Sequence, residues 1–200
     1  MASQKPEILV VPADSPKHKA TVTTLFTAYA QSLDIDLSFQ NFEQELASLP
    51  GKYTPETGGA LFLAYSRPTA SSLSPPSSKQ SPPSHAAVGC VALRAFSPPS
   101  ICELKRLYII PEARGLGAGR ELMDTVIGKA KELGYKEILL DTLRSIVKAR
   151  KMYARYGFVD VEKYYDNPLD GTCFMRLVLH QGSSRPIFAE EQPNLVQTEF

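Results

Sequence analysis

Residues 106–134 limit what this chain can be more than any other stretch. Arg106-Leu107-Tyr108-Ile109-Ile110 reads as the end of a strand. Pro111 stops it, and Ala113-Arg114-Gly115-Leu116-Gly117-Ala118-Gly119-Arg120 forms a turn dense in glycine and arginine. Behind the turn, Leu122, Met123, Val126, Ile127, Ala130 and Leu133 recur at helical spacing, and Gly134 fits a helix stop. Glycine lets a backbone approach a ligand closely, and the first N–H groups of a helix have no partner inside it. Those donors, the positive end of the helix dipole and the guanidinium groups of Arg114 and Arg120 favour a bound anion. The segment reads as strand, phosphate-cradling loop, helix.

Spacing separates the glycine-rich alternatives. A P-loop needs a lysine directly after its last glycine, and none lies between Lys105 and Lys129. A dinucleotide-binding turn needs Gly-x-Gly-x-x-Gly, but Gly115, Gly117 and Gly119 alternate and Arg120 fills the slot of the third glycine. Asp141 stands about where a ribose-binding acid would sit. However, too little chain follows it for the rest of a doubly wound sheet.

Arg114-x-x-Gly117-x-Gly119 resembles the Arg/Gln-x-x-Gly-x-Gly/Ala signature of the GNAT superfamily of N-acetyltransferases. Ala149-x-x-x-Tyr153-x-x-x-Gly157-Phe158 is similar to the family's second signature, a helix carrying a tyrosine and ending at Gly-Phe. The likeness extends over about residues 6–179 with one insertion. It implies a mixed, mostly antiparallel sheet of about seven strands flanked by helices, with a splayed central strand pair. It also implies acetyl-CoA as cosubstrate and no metal.

The rest of the chain agrees with one domain over residues 6–180. Two hundred residues with 43% hydrophobic content suffice for a single core. A net charge of +1 gives no reason to expect nucleic acid, and no apolar run is long enough to span a bilayer. Three widely spaced cysteines, Cys90, Cys102 and Cys173, read as buried free thiols, which favours a soluble protein in a reducing, cytoplasmic compartment; a monomer or homodimer is expected. Strands are expected at Glu7–Val11, Ala60–Tyr65, Ala86–Phe96, Cys102–Ile110, Glu137–Asp141, Phe158–Tyr164 and Thr172–Leu179. Helices are expected from about Lys17, from a Ser38 cap to Leu49, behind the glycine loop, and over Ile146–Tyr156. Strands in series with inserted helices give a three-layer α+β domain. Arg67–His85, almost wholly Ser, Pro, Ala and Thr, reads as a disordered insertion, and residues 181–200 as a polar tail.

Acetyl transfer to an amine needs a coenzyme clamp, an oxyanion donor, a base and a proton for the departing thiolate. The resemblance places Leu107, Tyr108 and Ile109 at the thioester, with the Ile109 amide polarising its carbonyl. It places Arg114, Gly115, Leu116, Gly117, Ala118, Gly119 and Arg120 around the pyrophosphate. Tyr153 matches the family's general acid, and a phenol stays protonated at neutral pH; without the family match, a helix tyrosine is more often a packing residue. Many relatives carry an asparagine seven residues earlier, where this chain has Ile146. Glu103 is the first candidate for the base and Asp141 the second, with ordered water as the other route. The register of Glu103 looks one residue off, which a bulge could restore or ruin. By the resemblance, Asp34, Asp36, Tyr164, Tyr165 and Asn167 belong to segments that contact the acceptor. Acids and aromatics together suit a small amine or amino acid. Acetylation of a protein lysine or N-terminus, or coenzyme binding without turnover, are the alternatives.

Overall fold

The computed structural model describes residues 6–35, 37–67, 87–97 and 100–180. The insertion apart from Arg67, the 181–200 tail and Asp36 lie outside the described residues.

A single seven-stranded sheet runs in the order β1-β2-β3-β4-β5-β7-β6. Its strands are β1 (Glu7–Pro12), β2 (Ala60–Arg67), β3 (Ala87–Ser97), β4 (Ile101–Ile109), β5 (Glu137–Leu143), β6 (Val159–Val161) and β7 (Thr172–Val178). Every neighbouring pair is antiparallel except β4 and β5, as expected for the mixed sheet. Helices α1 (Lys19–Leu33) and α2 (Phe42–Ser48) cover one face, and α3 (Ala118–Glu132) and α4 (Val147–Arg155) the other. Covered on both faces, β2 is a continuous buried apolar run, Ala60-Leu61-Phe62-Leu63-Ala64, rather than an alternating one. The apolar stripe of α3 (Leu122, Met123, Val126 and Ala130) packs on this core.

Two elements differ from the sequence expectation. Ser38 opens a single 3-10 turn, and α2 starts only at Phe42, with Asn41 at its N-cap in a left-handed conformation (φ 55°). The left-handed residue breaks what periodicity reads as one continuous helix. The sixth strand ends at Val161 instead of reaching Tyr164. There the Tyr164 ring leaves the strand direction and packs edge-on against Phe96 and Phe174, at 5.1 and 5.0 Å between centroids.

Candidate active site

The parallel joint between β4 and β5 is short. Ile101, Cys102 and Glu103 pair with Glu137, Ile138 and Leu139, and beyond that the strands part although each continues. On the other side of β4, the Ile110 N–H donates to the Val88 carbonyl at 3.0 Å. Alternation along the strand therefore turns the N–H and carbonyl of Ile109 away from β3, into the gap. Arg114 takes that carbonyl, its Nε donating at 3.2 Å. The Ile109 N–H is left facing the parted strands.

The loop after β4 is shaped by two glycines. Gly115 and Gly117 sit at φ 84° and 105°, where side-chain-bearing residues are strained, and Gly117 is the N-cap of α3. Among the described residues, no backbone hydrogen bond uses the N–H of Gly115, Gly117, Ala118 or Gly119. These four donors head a helix of 15 residues, with the Arg120 side chain 80% exposed beside them. Leu116 is half-buried against the core and Ala118 is buried, so their side chains anchor the loop while its backbone faces outward. A Cβ on Gly119 would lie 3.8 Å from Ile109 and 3.6 Å from Met152, which brings loop, strand end and α4 to one place.

Tyr153 follows Met152 on α4 and is 6% exposed. Its hydroxyl has no partner among the described residues. Burial raises its pKa, and the Tyr29 phenol and the Asp141 carboxylate raise it further, so the proton is held. Gly157 (φ 92°) then closes α4: its N–H bonds Ala154 and that of Phe158 bonds Tyr153, at 3.0 and 3.1 Å, fixing the helix end that presents the tyrosine.

Residues 79–158 match the family described as the Acetyltransferase (GNAT) family. An N-acetyltransferase of Schizosaccharomyces pombe is 37% identical over 153 residues, 76% of this chain and 83% of that one. The chain belongs to the GNAT family of N-acetyltransferases. Solved structures repeat the fold. A GNAT acetyltransferase from Staphylococcus aureus superposes with a TM-score of 0.65 at 19% identity, over 87% of this chain and 100% of that one. An acetyltransferase from Salmonella typhimurium, solved with its cofactor acetyl-CoA, gives 0.60 at 13% identity, over 89% and 97%.

In this GNAT domain the acidic candidates differ sharply. Glu103 is fully buried, and both of its oxygens are engaged. Arg94 donates to one through Nε and Nη2 at 2.7 and 2.6 Å. The other receives the Tyr164 hydroxyl at 2.9 Å, with Lys105 at 3.7 Å. Lys105 turns its shorter contact, 2.7 Å, to Asp141, whose side chain keeps 13% exposure. Four phenols, those of Tyr29, Tyr153, Tyr164 and Tyr165, have their pKa raised first by burial and also by the charge of Asp141. The remaining candidates lie apart. Asn167 donates to the Tyr165 hydroxyl at 2.8 Å and lines a polar hollow of about 410 Å³ with Arg144, Arg150 and Lys163. Asp34, exposed at the end of α1, lines another of about 570 Å³ with Ile35, Leu37 and Phe42. Ile146 is the N-cap residue of α4 and makes no side-chain capping bond.

Sequence reasoning missed Tyr29, Glu45, Arg94, Lys105 and Arg106. Arg106 is 3% exposed, and its fork donates to Glu45 through Nε and Nη2 at 2.9 and 3.0 Å and to Gln40 through Nη1 at 2.9 Å. Tyr53 and Lys52 complete the Glu45 carboxylate at 2.8 and 3.1 Å. Burial alone would raise the Glu45 pKa, but Arg106, Lys52 and Tyr53 hold it down at about 2. A signal was present: Glu103, Lys105 and Arg106 put three charges within four positions of an otherwise apolar central strand. Buried charges require partners.

Proposed function

We propose that the protein transfers the acetyl group of acetyl-CoA to the primary amine of a small molecule, by direct attack on the thioester. The observation that carries this is the gap between β4 and β5, onto which the anion-binding loop, the Ile109 N–H and the region of Tyr153 converge. The free N–H groups of Gly115, Gly117, Ala118 and Gly119, with Arg114 and Arg120, would hold the pyrophosphate. The Ile109 amide would receive the charge that develops on the thioester oxygen. Tyr153 would give its proton to the departing thiolate, and its raised pKa keeps that proton in place at neutral pH.

The base is better assigned to Asp141 than to Glu103. Arg94 and the Tyr164 hydroxyl occupy both Glu103 oxygens, whereas Asp141 is paired with Lys105 through one oxygen, keeps 13% exposure and would take the ammonium proton directly or through water. An acid whose charge is felt by the phenols of Tyr29, Tyr164 and Tyr165 suits a small amine better than an extended peptide. The buried free thiols Cys90, Cys102 and Cys173 suit a reducing, cytoplasmic setting.

Thiol release from acetyl-CoA across amines, amino acids, amino sugars and peptides tests the acceptor class, and turnover on peptides alone would refute it. For the clamp, Gly117→Glu is expected to abolish acetyl-CoA binding by calorimetry in a folded protein. A Cβ there meets nothing within 4 Å, so the damage falls on the ligand side. Near-normal affinity would sink the assignment of the loop.

A further inference from the structure

β4 does not keep a regular register. Lys105 opposes Ala92 and Tyr108 opposes Cys90, so Arg106 and Leu107 together face the single residue Val91. The extra residue is a β-bulge, and Arg106 carries it at φ 57°, a left-handed conformation that a side-chain-bearing residue adopts under strain. The bulge changes the phase of the strand. Lys105 and Arg106 both reach charges on the α1–α2 side, while Leu107 and Ile109 pack on the α3 side. Had alternation continued, Tyr108 and Ile109 would exchange faces. The Ile109 N–H would then no longer point into the gap.

Several contacts hold that one residue. Its guanidinium is forked onto Glu45 and Gln40, and it is flanked by the rings of Tyr29 and Phe42 at 5.6 and 5.2 Å. Its backbone carbonyl accepts the Cys90 thiol at 3.3 Å. The Glu45 carboxylate is held in turn by Tyr53 and Lys52. A strained backbone persists only where its surroundings over-determine it, and here the over-determination comes from α2.

We propose that Glu45 and Arg106 are positioning residues: the ion pair from α2 locks the β4 bulge and thereby aims the Ile109 amide at the thioester. Resting on the acetyl-transfer reading above, this assigns to α2 a role in the chemistry although it supplies no reacting group. The bulge and the pyrophosphate loop are separate parts of the chain. Loosening the lock is therefore expected to leave CoA binding intact and to harm the step in which the acetyl carbonyl is polarised.

The test is Glu45→Gln, with the double variant Glu45→Gln/Arg106→Gly as its rescue. In the single variant kcat is expected to fall about 100-fold, the scale of a small misplacement of a catalytic group, with CoA affinity unchanged. Any preference for acetyl-CoA over CoA should shrink. Glycine adopts the left-handed conformation without strain, so the double variant should regain at least about tenfold in kcat despite having lost the ion pair. Arg106→Lys, which keeps the charge on Glu45 but loses the fork, should fall between. A pair that merely docks α2 would lower thermal stability in all three variants, leave kcat per folded molecule unchanged and show no glycine rescue; that result overturns the proposal. Backbone hydrogen exchange gives a readout independent of catalysis and of the yield of any one variant. Faster exchange at residues 106–108 and at Ile110, with residues 115–120 unaltered, supports the lock, and equal exchange overturns it. If the wild-type protein neither binds acetyl-CoA nor turns over, the acetyl-transfer reading fails, and the exchange measurement still decides whether the pair holds the bulge.

Discussion

Two ion clusters lie on one face of β4, meeting at the adjacent residues Lys105 and Arg106, and they differ in what they leave available. In the first, Glu45 and Arg106 use their hydrogen-bonding capacity on each other and on Gln40, Tyr53 and Lys52, and both residues are buried. The second begins the same way, with Glu103 enclosed by Arg94 and Tyr164, but it runs on through Lys105 to Asp141, whose side chain keeps some exposure. A closed network of charges can only fix geometry. A network with one accessible end can move a proton. The desolvation cost of burying ions arises in both, so the contrast lies in what each cluster leaves accessible.

The largest expected effect lies at Tyr153, whose hydroxyl is bonded to neither cluster. Tyr153→Phe removes one hydroxyl and keeps the ring, and single-turnover acetyl transfer should fall by about 10²–10⁴-fold with coenzyme affinity little changed. An unchanged single-turnover rate would remove Tyr153 from the chemistry and leave it a packing residue. Glu103→Gln sharpens the comparison from inside the second cluster. It leaves Arg94 and Lys105 without their shared carboxylate, and a cost of about 3–5 kcal/mol in denaturant unfolding is expected, the scale for a broken buried pair. Turnover per folded molecule should drop far less than in Tyr153→Phe. A loss of rate as large as that of Tyr153→Phe, with stability intact, would instead make Glu103 the base.

The smallest effect is a titration of the closed cluster. Glu45 is held at about 2 against an ordinary carboxylate value of 4.5. A carboxylate depressed in the folded state stabilises the fold above its unfolded pKa. That contribution, here about 3 kcal/mol, drains away as the pH falls from about 4.5 towards 2. Unfolding free energy followed by circular dichroism should decline through that window, and the decline should be shallower in Glu45→Gln. Equal slopes for the two proteins would show that the ion pair does not contribute in this way.

Much of this was legible in the sequence. The alternation of strands and helices, the glycine loop and the tyrosine helix ending at Gly157 are local patterns, and each is set by residues close together in the chain. The α3 stripe and the buried β2 run follow from periodicity and from an apolar run alone. The bulge at Arg106 was not legible, because it depends on a helix 61 residues away in sequence and on a backbone conformation that arginine does not favour. The same blindness hid the engagement of Glu103: its partner Tyr164 is also 61 residues away, beyond two helices and two strands. Local pattern showed that charges stood in β4. Only the fold showed with which partners, and therefore which acid stayed accessible.

The brevity of the β4–β5 joint has a consequence for the molecule as a whole. Three rungs connect an N-terminal ladder of four strands to a C-terminal ladder of three, whereas β5 and β7 alone share seven. The sheet is thus two ladders with a thin seam, held together by a core that runs beneath both. The glycine loop hangs from one ladder, while Tyr153 and Asp141 follow or belong to the other. A cosubstrate lying across the seam would act as a splint, binding the joined state and not the parted one. Its binding energy would then raise the unfolding free energy of the whole domain by linkage, in proportion to the logarithm of its concentration.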